Sequence, residues 1–317
     1  MRDVLRGRLG YGAANVGNLY RALSDEAAHA ILEAAWEAGV RTFDTAPHYG
    51  LGLSERRLGM FLATKPRDEY VVSTKAGRVL VPDDNAGEAL DTANDFMVPA
   101  TARRVWDFSA DGVRRSHEQS LERLGLDRVD VLYLHDPERY DLRRGLDEGL
   151  PAAAALRDEG LVSAVGVASM SAEALEAAVD TRAVDVLMVA GRFTLADQSA
   201  AEVLDRCAEE GVGVAVAAAF NSGLLASDKV ADDARYDYGP VPEELLARVR
   251  RIAEVSAAYD VALPAAALAY PLSHPAVECV VVGGAAPDQV RRNAALMASP
   301  VPAALWSALR DEGLVAR

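Results

Sequence analysis

Between residues 25 and 37 the apolar positions Ala28, Ile31, Leu32 and Ala35 recur with the 3.6-residue period of an amphipathic helix. Ser24 stands where an N-cap belongs. Gly39 then ends the helical pattern, and residues 40–43 form a short, nearly apolar run that reads as a buried strand. The same switch recurs along the chain. Gly125 comes shortly before the run at 130–134, Gly160 precedes 161–167, and Gly211 precedes 212–217. Eight strand-like runs result, near 8–11, 41–43, 70–74, 130–134, 164–167, 184–188, 212–217 and 279–282. Helical patterns separate them at 25–37, 54–62, 111–124, 143–159, 171–179, 199–210, 243–259 and 264–272, followed by one C-terminal helix.

Strict strand–helix alternation leaves two architectures, a closed (β/α)8 barrel or an open doubly wound sheet. Eight units favour the barrel, and so does polar chemistry that follows several different strands. The 317 residues hold one such α/β domain, which typically takes about 250 residues plus insertions. No boundary divides residues 1–317. Two stretches lack a period. Residues 79–108 carry Pro82, Asp83, Asp84, Asn85, Gly87 and Trp106, and a second irregular stretch spans 226–242. Both are expected at the C-terminal face of the barrel. A loop as long as the first is usually functional or mobile.

Composition narrows the partners. Half the residues are hydrophobic, enough for a sizeable core. The net charge of -15 is spread along the chain, which opposes binding to nucleic acid or an anionic membrane. Cys207 and Cys279 sit in apolar settings without metal-ligand spacing and read as buried free thiols, as in a reducing compartment. Residues 1–4 lack a signal-peptide core, and no apolar run approaches a membrane span. A cytoplasmic, soluble protein with a small-molecule substrate and no metal is expected. Its oligomeric state is open.

Candidate chemistry concentrates where strands stop. Asp44 and Tyr49 lie in Phe43-Asp44-Thr45-Ala46-Pro47-His48-Tyr49-Gly50, Lys75 ends Val71-Val72-Ser73-Thr74-Lys75, and His135 ends Val131-Leu132-Tyr133-Leu134-His135. A free phenol with a pKa near 10 exchanges protons poorly at neutral pH, and a neighbouring ammonium lowers that value. Lys75 is placed to supply the charge, Asp44 to hold Lys75, and His135 to orient a substrate oxygen. His48 is a candidate pocket wall or equally a packing group behind it, and Trp106 a candidate apolar pocket wall or an ordinary packing residue of its loop. His117 and His274 read as structural.

The octapeptide, the following Gly52-Leu53-Ser54-Glu55-Arg56-Arg57-Leu58-Gly59, the third run and the Leu134-His135-Asp136 end resemble the marks of the aldo-keto reductase superfamily, with Asp44, Tyr49, Lys75 and His135 in the order of its catalytic tetrad. The resemblance runs from Gly10 to the Asn293 region. It implies a (β/α)8 barrel that binds NAD or NADP without a Rossmann domain, and no GxGxxG follows a strand here. Ala190-Gly191-Arg192-Phe193-Thr194-Leu195 with Asp197-Gln198, and Phe220-Asn221-Ser222-Gly223-Leu224-Leu225, are similar to the aldose dehydrogenase branch, whose members act on D-threo-aldoses, L-fucose, L-galactose and pyridoxal. That branch implies oxidation of an aldose to a lactone at the anomeric carbon. Reduction of small aldehydes, oxidation of pyridoxal, or a cofactor-binding regulatory subunit are the alternatives.

The resemblance also implies cofactor contacts at Gly12, Ser169, Phe220, Asn221, Ser222, Gly223, Leu225, Gly283, Gly284, Ala285, Gln289 and Asn293. Gly223 suits close approach of backbone amides to anionic oxygens, and the helix after Ala286 presents an N-terminus favourable to phosphate. Three departures stand out. Ala285, Ala286, Pro287 and Asp288 replace the basic residue that meets a 2′-phosphate in many NADP users, so NAD is expected to be preferred, although Arg291 and Arg292 lie one helical turn on. Ala168-Ser169 replaces the usual Ser-Asn pair. Ala217 stands near the place of the stacking tyrosine, which leaves the stacking partner of the nicotinamide open, with Phe220 one candidate.

Overall fold

In the computed structural model, which describes residues 4–83, 89–237 and 239–316, the eight strands are parallel and close into a barrel in sequence order. They are β1 (Leu9–Gly12), β2 (Thr42–Asp44), β3 (Val71–Ala76), β4 (Val131–His135), β5 (Ala164–Ser169), β6 (Val186–Ala190), β7 (Gly213–Ala217) and β8 (Val277–Val282), and β8 pairs back onto β1. Each run read from the sequence is one of these strands.

The outer ring consists of α1 (Asp25–Glu37), α2 (Leu53–Leu62), α3 (Ala110–Leu124), α4 (Leu142–Arg144, a π-helical turn at Gly145–Gly149, then Leu150–Asp158), α5 (Ala172–Asp180), α6 (Ala201–Glu210), α7 (Glu243–Ala258) and α8 (Leu263–Ala269). The Ser24 hydroxyl caps α1 by accepting from Ala27 N, and Gly125 ends α3 in the left-handed region. The expected single C-terminal helix is two, α9 (Pro287–Ala298) and α10 (Ala303–Asp311). Pro300 and Pro302 separate them, because proline cannot continue a helix. Among the described residues no single helix is long and apolar enough to cross a membrane. Both cysteines are free and buried.

The period-two rule places the chemistry. In β3 the side chains of Val71, Ser73 and Lys75 share the inward face, and in β4 those of Val131, Tyr133 and His135 do. Each row starts apolar at the bottom of the barrel and ends polar at its C-terminal mouth. The remaining interior is packed by Ala164, Ala168, Val186, Met188, Ala215, Cys279 and Val281. At Gly166 a Cβ would fall 1.6 Å from the Val186 carbonyl oxygen, so only glycine lets β5 and β6 approach this closely.

Residues 79–108 correct the reading of an irregular loop. Arg78–Pro82 pairs antiparallel with Ala102–Trp106, from Arg78 opposite Trp106 to Pro82 opposite Ala102. The ribbon escaped notice because Arg78, Arg103 and Arg104 interrupt any clean alternation. Asp84, Asn85 and Gly87 lie outside the described residues, as do residues 1–3. The rest of the excursion is tied to the loop after β1. Tyr20 N donates to Asp95 O at 2.8 Å and Met97 N to Asn18 O at 2.9 Å. Leu51, Leu80, Phe96 and Val98 form a small satellite core there. The 226–242 stretch stays largely irregular, with one short ribbon between Arg235–Tyr236 and Gly239–Pro240.

Candidate active site

Asp44 ends β2 and pairs in register with Ser73, so Lys75 lies one pleat above, beside the carboxylate. Lys75 Nζ is 2.6 Å from Asp44 Oδ2 and donates to Thr45 O at 2.9 Å. Ser73 Oγ donates to the other carboxylate oxygen at 2.7 Å. Ser73 and Thr45 were not singled out from sequence. The signal for Ser73 was its position two residues before Lys75 on the same face of the strand.

Tyr49 enters from the loop after β2. Its turn is set by close backbone approach: a Cβ on Gly50, whose φ is 61°, would fall 2.1 Å from Gly17 O. Lys75 Nζ lies 5.0 Å from the centre of the phenol ring. Burial pushes the Tyr49 pKa up to about 12; Lys75 pulls it down and Asp44 pushes it up. The lowering expected from Lys75 alone is therefore reversed, because desolvation of the phenolate outweighs the ammonium. Burial also opposes the Lys75 charge, but Asp44 and Tyr49 more than offset it and the pKa is raised.

His135 stands edge-on to the Tyr49 ring, with centroids 5.9 Å apart and an interplanar angle of 89°. Burial holds its pKa well below the ordinary value, reinforced by Arg78, Lys75, His48 and Arg139. The His48 ring is 5.7 Å from that of His135 and 5.5 Å from Phe96. Burial, then Arg78 and Arg104, lowers the His48 pKa to about 2. Arg104 fixes this loop by donating to His48 O at 2.8 Å while paired with Asp91 at 2.5 Å. The mouth thus brings together Asp44, Tyr49, Lys75, His135 and His48, with two neutral imidazoles beside the phenol.

Of the two readings of Trp106, pocket wall or loop packing, the structure shows it packed. The Arg78 guanidinium lies over its ring at 4.6 Å, and Tyr140 stacks on it at 5.5 Å with an interplanar angle of 6°. Tyr140, about half exposed, is the outer aromatic of this stack.

The candidate cofactor residues gather at the ends of β1, β5, β7 and β8. After β7 the backbone runs through left-handed conformations at Asn221, Ser222 and Gly223, with φ of 43°, 57° and 94°. The turn is closed by its own amides: Asn221 N donates to Ala218 O at 2.8 Å, and Gly223 N and Leu225 N both donate to Phe220 O, at 3.0 and 3.1 Å. After β8 the backbone is tightly cradled. A Cβ on Gly283 would lie 2.7 Å from Asn15 Oδ1, and one on Gly284 2.8 Å from Val290 Cγ2. Gly12 lies beside Gly283. A cradle that a Cβ would fill fits the close approach of a pyrophosphate to this edge.

Several side chains there are engaged within the protein. Asn221 accepts from Thr194 Oγ1 at 2.6 Å and donates to Gly191 O at 3.1 Å, bracing the loops after β6 and β7. Gln289 accepts from Ala285 N at 2.8 Å and Asn293 donates to Gly283 O at 3.3 Å, so both brace the loop after β8. Ser169 donates to Glu138 at 2.6 Å. Leu225 is fully buried, and Phe220 packs against the cluster of Ala219, Leu268, Val280 and Val282. Arg21, overlooked in the sequence, reaches from the loop after β1 to donate to Ala285 O.

Comparison with known proteins gives the same picture. The Aldo/keto reductase family model matches residues 8–311. The chain is 56% identical over 309 residues to a D-threo-aldose 1-dehydrogenase of Pseudomonas sp, covering 97% of this chain and 94% of that protein. It is 36% identical over 326 residues to a pyridoxal 4-dehydrogenase of Microbacterium luteolum, with the same two coverages, 97% and 94%. In fold it is similar to the holo form of an aldo-keto reductase from Bacillus halodurans, with a TM-score of 0.76, 23% identity, and coverage of 98% of this chain and 92% of that one. The chain belongs to the aldo/keto reductase family.

Proposed function

We propose that the protein is a nicotinamide-dependent aldose 1-dehydrogenase that oxidises the anomeric carbon of a cyclic aldose to the lactone. The observation that carries this reading is the 56% identity to a D-threo-aldose 1-dehydrogenase along 97% of the chain. The contiguous Asp44–Lys75–Tyr49 network supports it.

The geometry supports the following residue roles. Tyr49 O takes the proton of the anomeric hydroxyl. Lys75 stabilises the phenolate that does so, and Asp44, itself held by Ser73, keeps Lys75 in place. Neutral His135 hydrogen-bonds the reacting oxygen and fixes its direction. His48 lines the sugar pocket, with Trp106 as backing for Tyr140. A bound nicotinamide dinucleotide supplies the acceptor for the hydride leaving the carbon. Gly12, Ser169, the 220–225 loop and the Gly283–Gly284–Ala285 cradle with Gln289 and Asn293 would hold it.

NAD is the preferred form in this reading. Asp288 is almost fully exposed in the first turn of α9, where it opposes a 2′-phosphate, and Arg291 is shared between Asp288 and Glu37.

The test is nicotinamide absorbance in steady-state assays with L-fucose, D-arabinose, L-galactose, D-glucose and pyridoxal, each with NAD and NADP. Turnover of an aldose with NAD is expected. Turnover of pyridoxal alone would move the assignment to the second relative's reaction, and equal efficiency with NADP would remove the cofactor preference.

A further inference from the structure

We propose that Arg78 and Asp136 form a positioning pair for His135, in which Arg78 engages the carboxylate that would otherwise claim the imidazole, so that His135 Nε2 stays available to the substrate oxygen. The proposal rests on the role given to His135 above.

The geometry centres on one oxygen. Asp136 Oδ2 lies 3.7 Å from His135 Nε2, 2.5 Å from Arg78 Nη2 and 3.9 Å from Arg139 Nη1. A carboxylate this close to an imidazole ordinarily favours the charged ring and turns its N–H toward itself. Arg78 has the shorter contact, and its side chain is only 7% exposed, so solvent does little to weaken its hold. The pair is fixed from both sides. Asp136 follows His135 directly, adopts a left-handed backbone with φ of 46°, and donates its N–H to Ala168 O at 2.9 Å. Arg78 begins the ribbon opposite Trp106, whose ring lies under the guanidinium. The excursion between β3 and α3 therefore delivers a cation to the catalytic mouth as well as forming a wall.

The groups around His135 define what happens when Arg78 is lost. Lys75 faces it from β3, and Tyr49 and His48 from the loop after β2. Asp44 lies behind Lys75. Arg139, Asp136 and Glu138 belong to its own loop, and β5 contributes the neutral Ala168 and Ser169. Asp136 is the carboxylate in contact range of the ring. Without Arg78 it recruits His135 as an imidazolium, and the ring turns from the substrate.

The experiment is a pH titration of 15N-histidine-labelled protein, with the His135 signals assigned by His135→Asn, beside kcat/KM for the aldose relative to wild type at each pH. In the wild type the His135 ring should remain neutral from about pH 9 to about pH 5. In Arg78→Met its protonation should move to higher pH than in the wild type, with relative kcat/KM about tenfold down at about pH 5 and close to unity at about pH 9. Arg78→Lys should behave as wild type. Asp136→Asn and the double variant Arg78→Met/Asp136→Asn should both keep the ring neutral and the relative profile flat. An untitrating ring in Arg78→Met, or an acid limb in Asp136→Asn, would overturn the pairing. Should Arg78→Met not fold, Asp136→Asn and the double variant carry the decision. The titration needs no substrate, so a failed sugar assignment leaves it readable.

Discussion

Lys75 Nζ sits 2.6 Å from Asp44 Oδ2, with both side chains almost wholly removed from solvent. The pair is satisfied on its other sides by Thr45 O and Ser73 Oγ. Replacing Lys75 by methionine strands a buried carboxylate and removes the cation that pulls the Tyr49 pKa down. The expected outcome is a folded but less stable enzyme, by about 3–5 kcal/mol, because breaking a buried pair leaves an uncompensated charge. Its oxidation activity should begin at higher pH than in the wild type. Urea melts and kcat/KM profiles check the two halves separately, and an unchanged profile would separate Lys75 from the titration of the phenol.

Tyr49 itself gives a directional pH prediction. With its pKa pushed up to about 12, the phenol is protonated at neutral pH. In the proposed reaction oxidation uses the phenolate as base, so its rate should climb through the alkaline range. Reduction of an aldehyde needs the phenol as acid and should show no such climb. Tyr49→Phe should lower kcat by about 10²–10⁴, the usual worth of a positioned acid or base, while cofactor affinity measured by fluorescence stays near wild type. A Phe variant retaining most of its kcat would remove Tyr49 from proton transfer.

The residues that sequence reading reached are those held by regular structure. Asp44, Lys75 and His135 end apolar runs whose period and punctuation are visible, and barrel closure brings strand ends together whatever the loops do. Tyr49 follows because Gly17 and Gly50 leave its turn little freedom. What stayed hidden depends on contacts between loops. Trp106 is backed by Arg78 and Tyr140 from sequence positions 28 residues before it and 34 after it. Asn221 is spent on Thr194 and Gly191. The sign of the Tyr49 shift also eluded the sequence, because it is decided by burial, which a spacing of charges does not reveal.

Acid should destabilise the fold through its histidines. His48, His117 and His135 all have folded-state pKa values depressed by burial. The unfolded chain binds their protons first, so stability is full above the unfolded value near 6.5 and falls as pH drops below it, by about 1.4 kcal/mol per pH unit for each ring kept neutral. His117 is the clean probe. It lies on α3 away from the tetrad, is 2% exposed, and neither ring nitrogen has a partner among the described residues. His117→Leu should remove one proton from the acid slope in thermal melts between about pH 6 and about pH 4 and cost little at neutral pH. A slope identical to wild type would mean His117 does not stay neutral in the fold.

Glu55, in the first turn of α2, is fully buried on the outer side of β3. It accepts from Thr74 Oγ1 at 2.7 Å and from Arg123 Nε at 2.6 Å, joining β3, α2 and α3 next to Lys75. Glu55→Ala leaves the half-sequestered Arg123 unpaired and opens a cavity, and should cost about 3–5 kcal/mol in urea unfolding. Glu55→Gln keeps the shape and one acceptor and should cost less. Equal stability of the Ala variant and the wild type would exclude this network as a brace of the third strand.

The proposed preference for NAD has an electrostatic signature. Asp288 is 99% exposed, 3.2 Å from Arg291 on the next turn, and Arg291 also lies 3.7 Å from Glu37. Arg292 follows Arg291 on the same helix, and Arg21 is a further cation at this edge, bound to Ala285 O. Asp288→Asn removes the negative charge that opposes a 2′-phosphate and frees Arg291 toward it. At so exposed a site the gain is bounded, so kcat/KM with NADP should rise about three- to tenfold while the value with NAD stays within about threefold. The gain should shrink in added salt, since the Debye length falls from about 10 Å at 0.1 M to about 3 Å at 1 M. A gain that persists at high salt would point to a steric origin, and no gain at all would place the discrimination at Arg21 instead.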